Sequence, residues 1–170
     1  MDFTFVLGRV VHVTLGVFWA GTMVFNAVFL FPALRDAGPD GAKVGVGLMK
    51  RNFMVTVPVV AILTLLSGLY LLWKASAGFA PAYMGSAPGM AYSIGMLASL
   101  VAFGFGVGVV RPSMLKAMEL SQGIGTAAAA DRDRIIGEAQ ALRLRAGNAG
   151  QVVAWLLGAA TVTMAVARYL

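Results

Sequence analysis

The chain has 170 residues, of which 59% are apolar and only 12% charged, with a mean hydropathy of +0.84. A soluble domain runs near a quarter charged, so this composition excludes a soluble globular enzyme, a disordered tail and an ordinary nucleic-acid binder, and it describes one membrane domain over residues 1–170. With no cysteine and one histidine, disulfides, iron–sulfur clusters, thiolate zinc sites, covalent c-type haem and a haem clamped by two histidines of one chain are excluded as well.

A membrane-spanning helix needs roughly 20 apolar residues. The first such run covers about residues 3–31, is interrupted by Arg9 and is expected to close at Pro32. It is too long for the apolar segment of a signal peptide, and Met1-Asp2 lacks a basic lead, so it is expected to remain a span. Along it Arg9, His12, Gly16, Trp19, Met23 and Asn26 recur at spacings of three and four, forming one stripe on a helix. Polar groups are costly in lipid, so this stripe is expected to face the bundle interior. An imidazole beside a backbone gap at Gly16 can ligate the metal of a planar macrocycle, and an arginine near the interface can pair a propionate. Arg9, His12, Gly16, Trp19 and Asn26 are therefore the candidate cofactor residues, with His12 as the axial ligand. Against that stands the plainer reading, a histidine hydrogen-bonded to a neighbour and an arginine snorkelling to the headgroups.

The first loop carries Arg35, Lys43, Lys50 and Arg51. A second span follows at about residues 53–73, with Pro58 one turn inside, where a proline costs little. Its Thr56, Thr64 and Ser67 are expected to bond backbone carbonyls rather than ions. The second loop, about residues 75–89, is uncharged, and its Phe79, Tyr83 and Met84 suit a membrane interface. The third span, about residues 90–110, is expected to stop at Arg111-Pro112. Gly104-x-Gly106-x-Gly108 lies inside this apolar span with no strand before it, so it is not a nucleotide loop. The third loop carries Arg111, Lys116, Arg132, Arg134, Arg143 and Arg145; helix formers over residues 127–145, with Ile135, Ala139, Leu142 and Ala146 in helical register and a turn at Gly123 and Gly125, predict a helical hairpin between spans three and four. The fourth span covers about residues 149–167.

Ten of the thirteen Lys/Arg thus lie in loops one and three. The positive-inside rule places those loops in the cytoplasm and both termini outside, in the periplasm of a bacterium, and the Ala, Gly, Arg and Val usage suits a GC-rich bacterial source. Small residues at helical spacing (Gly95 with Ser99, Ala102 with Gly106, and Gly150, Ala154, Gly158 in series) mark faces where helices approach closely in lipid. No Asp or Glu lies in the core of a span, which disfavours a carboxylate-driven transporter. The ten methionines are scattered and read as packing rather than as a copper site.

Residues 11–21, Val-His-Val-Thr-Leu-Gly-Val-Phe-Trp-Ala-Gly, followed by Phe31-Pro32-Ala33-Leu34-Arg35, resemble the first helix of HemJ-type protoporphyrinogen oxidases and related CopD-like membrane proteins. Met49-Lys50-Arg51-Asn52 with Pro58, Thr64, Gly68, Leu71 and Leu72 is similar to their second helix. The resemblance implies a four-helix membrane bundle and a haem b ligand at His12. The family's lysine at the start of the third helix has no counterpart in Ala91-Tyr92-Ser93-Ile94-Gly95-Met96. Its Asn-Glu-x-Pro motif before the fourth reads Asn148-Ala149-Gly150-Gln151.

The expected fold is an all-α, four-helix bundle integral to a bacterial inner membrane. The expected function is a non-catalytic accessory subunit of a respiratory or photosynthetic complex, with His12 a candidate holder of haem b or a chlorophyll-type pigment. The alternative is a haem-b-binding oxidoreductase of HemJ type. Membrane lipids and other integral subunits, or further copies of the chain, are the expected partners; nucleic acid is not.

Overall fold

A computed structural model of the chain describes residues 2–126 and 128–170, with the backbone alone at Pro39, Ala42 and Thr126; the expected helix start at Ala127 lies outside the described residues. Four helices are long and apolar enough to cross a membrane: α1, Phe3–Asp36; α3, Phe53–Ala75; α5, Ala87–Gly123; and α6, Ala129–Tyr169. Between α1 and α3 lies α2, Pro39–Lys50, and between α3 and α5 a single turn, α4, Pro81–Met84. The chain is a multi-pass membrane protein, as its composition implies.

Consecutive helices run antiparallel. The N-terminus meets the end of α3, where Lys74 pairs with Asp2 at 3.0 Å and Thr4 shares a hydrogen bond with Tyr70 at 2.7 Å. The start of α5 meets the end of α6 at Gly95, where an added Cβ would sit 2.8 Å from Met164 and 2.9 Å from the Thr163 hydroxyl. The inner part of α6 meets α1 at Gly150, where a Cβ would come 2.9 Å from the Phe31 ring. Of the small residues expected to pack, Gly95, Ser99, Ala102 and Gly150 are buried, Ser99 donating to the Gly95 carbonyl at 2.9 Å. Gly106, Ala154 and Gly158 are only half-buried, and nothing lies within 4 Å of a Cβ added at Gly106 or Gly158.

One expected boundary is corrected: Pro32 does not close the first helix. The third helix continues through Arg111-Pro112 into the hairpin expected beyond its span. In each a five-residue π turn, Asn26–Leu30 or Gly106–Val110, immediately precedes the X-Pro pair, with the amide of Phe31 reaching the Asn26 carbonyl and that of Arg111 reaching Gly106. An interior proline removes one hydrogen bond and collides with the carbonyl four residues back. The wider turn moves that carbonyl aside, and the helix continues beyond it. The helical hairpin beyond the third span is present: the inner half of α5 packs along α6, and Arg143 donates to the Ser121 hydroxyl at 2.7 Å. Helix α2 was not foreseen from the sequence. Its proline at the first turn and Asp40 in the first turn are N-terminal signals, obscured by Gly41, Gly45 and Gly47.

Candidate functional site

The stripe of α1 divides into two environments. Its N-terminal half forms a seam with α3, in which small and large residues alternate. Gly8 receives the Tyr70 ring, 3.1 Å from an added Cβ; the His12 ring lies over Gly68, whose Cβ would sit 2.7 Å from Cε1; and Gly16 receives the Thr64 methyl at 3.6 Å. His12 Nδ1 lies 2.9 Å from the Thr64 carbonyl oxygen. A carbonyl only accepts, so Nδ1 carries the proton and donates. In a helix the Thr64 carbonyl points toward Gly68, and the missing side chain there is what lets the imidazole reach it. Ser67 Oγ, 3.4 Å from Nδ1, is engaged with the Leu63 and Thr64 carbonyls at 2.7 and 3.0 Å. Thr64 donates to Val60 at 2.8 Å, so the hydroxyls of this helix bond backbone as expected, with Thr56 exposed at the surface.

This arrangement bears on a macrocycle at His12. The flat gap expected beside the imidazole at Gly16 is filled by Thr64, and Arg9 is exposed on another side of the helix, lining a shallow outer depression with Asp2, Thr14 and Lys74. Arg9 and Asn26 do not converge on His12.

The C-terminal half of the stripe is open. Trp19 and Asn26, at 4% and 3% exposure, together with Met23, face a narrow cavity of about 70 Å³ in the bundle, lined from α1, α2, α3, α5 and α6. Both π turns contribute to its wall, Asn26 from the first and Gly106 and Val110 from the second. The rest is apolar, and four methionines gather there: Met23, Met54, Met114 and Met118. A cavity of this size admits several waters only if polar groups hold them, and these walls supply two polar side chains, Asn26 and Arg111.

Arg111 directly follows the second π turn, and its Nε donates to the Met54 carbonyl at 3.1 Å. That carbonyl is the one Pro58 leaves without its helical partner, because the missing N–H is that of residue 58. Pro58 in α3 and Arg111 in α5 thus form one device. Among the described residues no carboxylate pairs with Arg111, and no buried side-chain nitrogen or oxygen stands without a hydrogen-bond partner. Sequence reasoning placed Asn26 on the right face but treated Arg111 as a stop. The available signal was a proline one turn into the facing helix, which frees a carbonyl for a donor from elsewhere.

Comparisons of the chain with protein-family profiles, with curated proteins and with solved structures find no match.

Proposed function

We propose that this chain is a non-catalytic integral membrane subunit, seated in a bacterial inner membrane with its termini outside and loops one and three in the cytoplasm, that associates through its helix faces with other integral subunits of a larger complex. The observation that carries this reading is the closed outer seam. His12, the residue best suited to redox or ligand chemistry, is hydrogen-bonded to Thr64 and packed on Gly68, so the stripe offers no convergent set of reactive groups there. The ten Lys/Arg of loops one and three support the orientation. A further support is the outer face of α5, where Gly104 and Gly108 are exposed, four residues apart, with nothing within 4 Å of a Cβ added at either. Such pairs allow close approach of another helix in lipid.

The test is native electrophoresis of the tagged chain, expressed at its own level and extracted in mild detergent. It should migrate with stoichiometric integral partners at a mass several times its own 17.7 kDa, and Gly104→Leu with Gly108→Leu should release it. Migration as a lone chain before and after substitution overturns the reading. So does a Soret band in the purified protein that His12→Ala removes, which would restore the HemJ-type oxidoreductase in its place.

A further inference from the structure

We infer that the depression at the N-terminal end of the α1–α3 seam binds a monoanionic phospholipid, its phosphodiester held by Arg9 and Lys74 and one acyl chain laid along the flank of α1. The inference does not depend on whether the chain is a subunit, since it rests on the walls of that depression and the helix face that continues it.

The depression has a volume of about 660 Å³; α1 forms its wall and Lys74 closes it from the end of α3. Asp2, Val6, Arg9 and Val13 line it at spacings of four, three and four, and so share one face of α1. The chemistry of that face changes along the helix. Asp2, Lys74 and Arg9 make its first part charged. Beyond Arg9 it is continued by Val10, Val13 and, one turn further, Val17, all exposed, and then by Gly21, where nothing lies within 4 Å of an added Cβ. From Arg9 to Gly21 this apolar track is about 18 Å long at 1.5 Å per residue, a little over half of a ~30 Å hydrocarbon core and so the length of a chain in one leaflet.

The charges name the head. Lys74 donates to one oxygen of Asp2 at 3.0 Å, and the other oxygen accepts from Thr4, so this carboxylate is already engaged. Arg9 is exposed and pairs with no carboxylate among the described residues. Two cations against one carboxylate leave the depression with one positive charge, which a monoanion balances and a zwitterion, bringing its own cation, does not. A guanidinium presents a planar fork that fits two phosphate oxygens, and the ammonium beside it adds a point charge for the same group. The apolar track that starts at Arg9 favours an anion that carries a chain, a lipid rather than free phosphate.

Native mass spectrometry of the full chain, released from micelles holding equimolar phosphatidylglycerol and phosphatidylcholine of matched chains, tests this. One phosphatidylglycerol should be retained, at least about fivefold over phosphatidylcholine, the weight of one basic residue at a lipid surface. Arg9→Gln should abolish the preference and Arg9→Lys should keep part of it, while Arg51→Gln, at an exposed basic position elsewhere, should leave it intact. Asp2→Asn should raise it, because Lys74 is then left wholly to the phosphate. Equal retention of the two lipids, or a preference unchanged in Arg9→Gln, overturns the inference and leaves Arg9 to an acidic side chain of another subunit. Displacement by glycerophosphoglycerol as effective as that by the intact lipid overturns it too, since the apolar track would then contribute nothing. If Arg9→Gln fails to fold, the two lipids compared in the unaltered chain and in Asp2→Asn decide.

Discussion

The outer and inner halves of one helical stripe meet opposite fates. At His12 the neighbouring helix closes on α1: a missing side chain at Gly68 admits the imidazole, the Thr64 carbonyl accepts a hydrogen bond from Nδ1, and Thr64 itself fills the notch at Gly16. At Asn26, four turns further along, the helices part around a cavity that this side chain borders. The residue types alone suggest the reverse, since a histidine is the better cofactor ligand and an asparagine the more ordinary structural residue. What separates them is the backbone opposite. A regular α-helix with a glycine makes a seam, while two π turns before prolines hold the helices apart.

The seam is broken most severely at Gly68. Leucine there puts atoms where the imidazole lies, 2.7 Å from a Cβ, and overpacking of this kind costs about 1–3 kcal/mol. Unfolding in mixed micelles should show that loss for Gly68→Leu and almost none for Gly21→Leu, where nothing lies within 4 Å of the added Cβ. Equal effects at both glycines would mean that the seam is not tightly closed. His12→Ala is the smaller change within the seam. It removes one donor to a carbonyl that keeps its helical partner, so a loss near the lower end of the ~0.5–1.5 kcal/mol range for a hydrogen bond is expected, with no change in the absorption spectrum.

The four apolar helices were legible because hydropathy and length are sufficient to mark them, and the hairpin beyond the third because Ile135, Ala139, Leu142 and Ala146 keep helical register. The ends of α1 and α5 were not legible. Pro32 and Pro112 read as stops by local chemistry, and whether a helix survives a proline depends on a change of hydrogen-bond register that no single residue announces. The site was half legible. Helical spacing placed His12, Trp19 and Asn26 on one face, but what each of them meets is decided by Pro58, Thr64, Gly68 and Arg111, residues from 32 to 85 positions beyond Asn26 in the chain. Arg9, expected with them, is exposed on another side of the helix, beside Asp2, Thr14 and Lys74.

The smallest expected effect lies at the outer end of the seam and tests whether the seam extends to the terminus. Asp2 caps α1 by accepting from the Thr4 amide at 3.0 Å and hydroxyl at 2.7 Å, and it pairs with Lys74 at 3.0 Å. The Thr4 hydroxyl bond and then the Lys74 ammonium hold its carboxyl down from 3.8 to about 2. A carboxylate whose folded value is lowered stabilises the fold above its unfolded value, and that contribution fades as pH falls from about 3.8 through about 2. The pair is exposed and screened by salt, so its effect is slight. Asp2→Asn keeps a capping side chain but loses the charge. The native protein should therefore melt slightly higher than the variant at pH 6 in low salt, and the two should converge as pH is lowered through that window. A difference that persists unchanged below pH 3 would assign the effect to the cap alone, and the link from Asp2 to α3 would then contribute nothing to the seam.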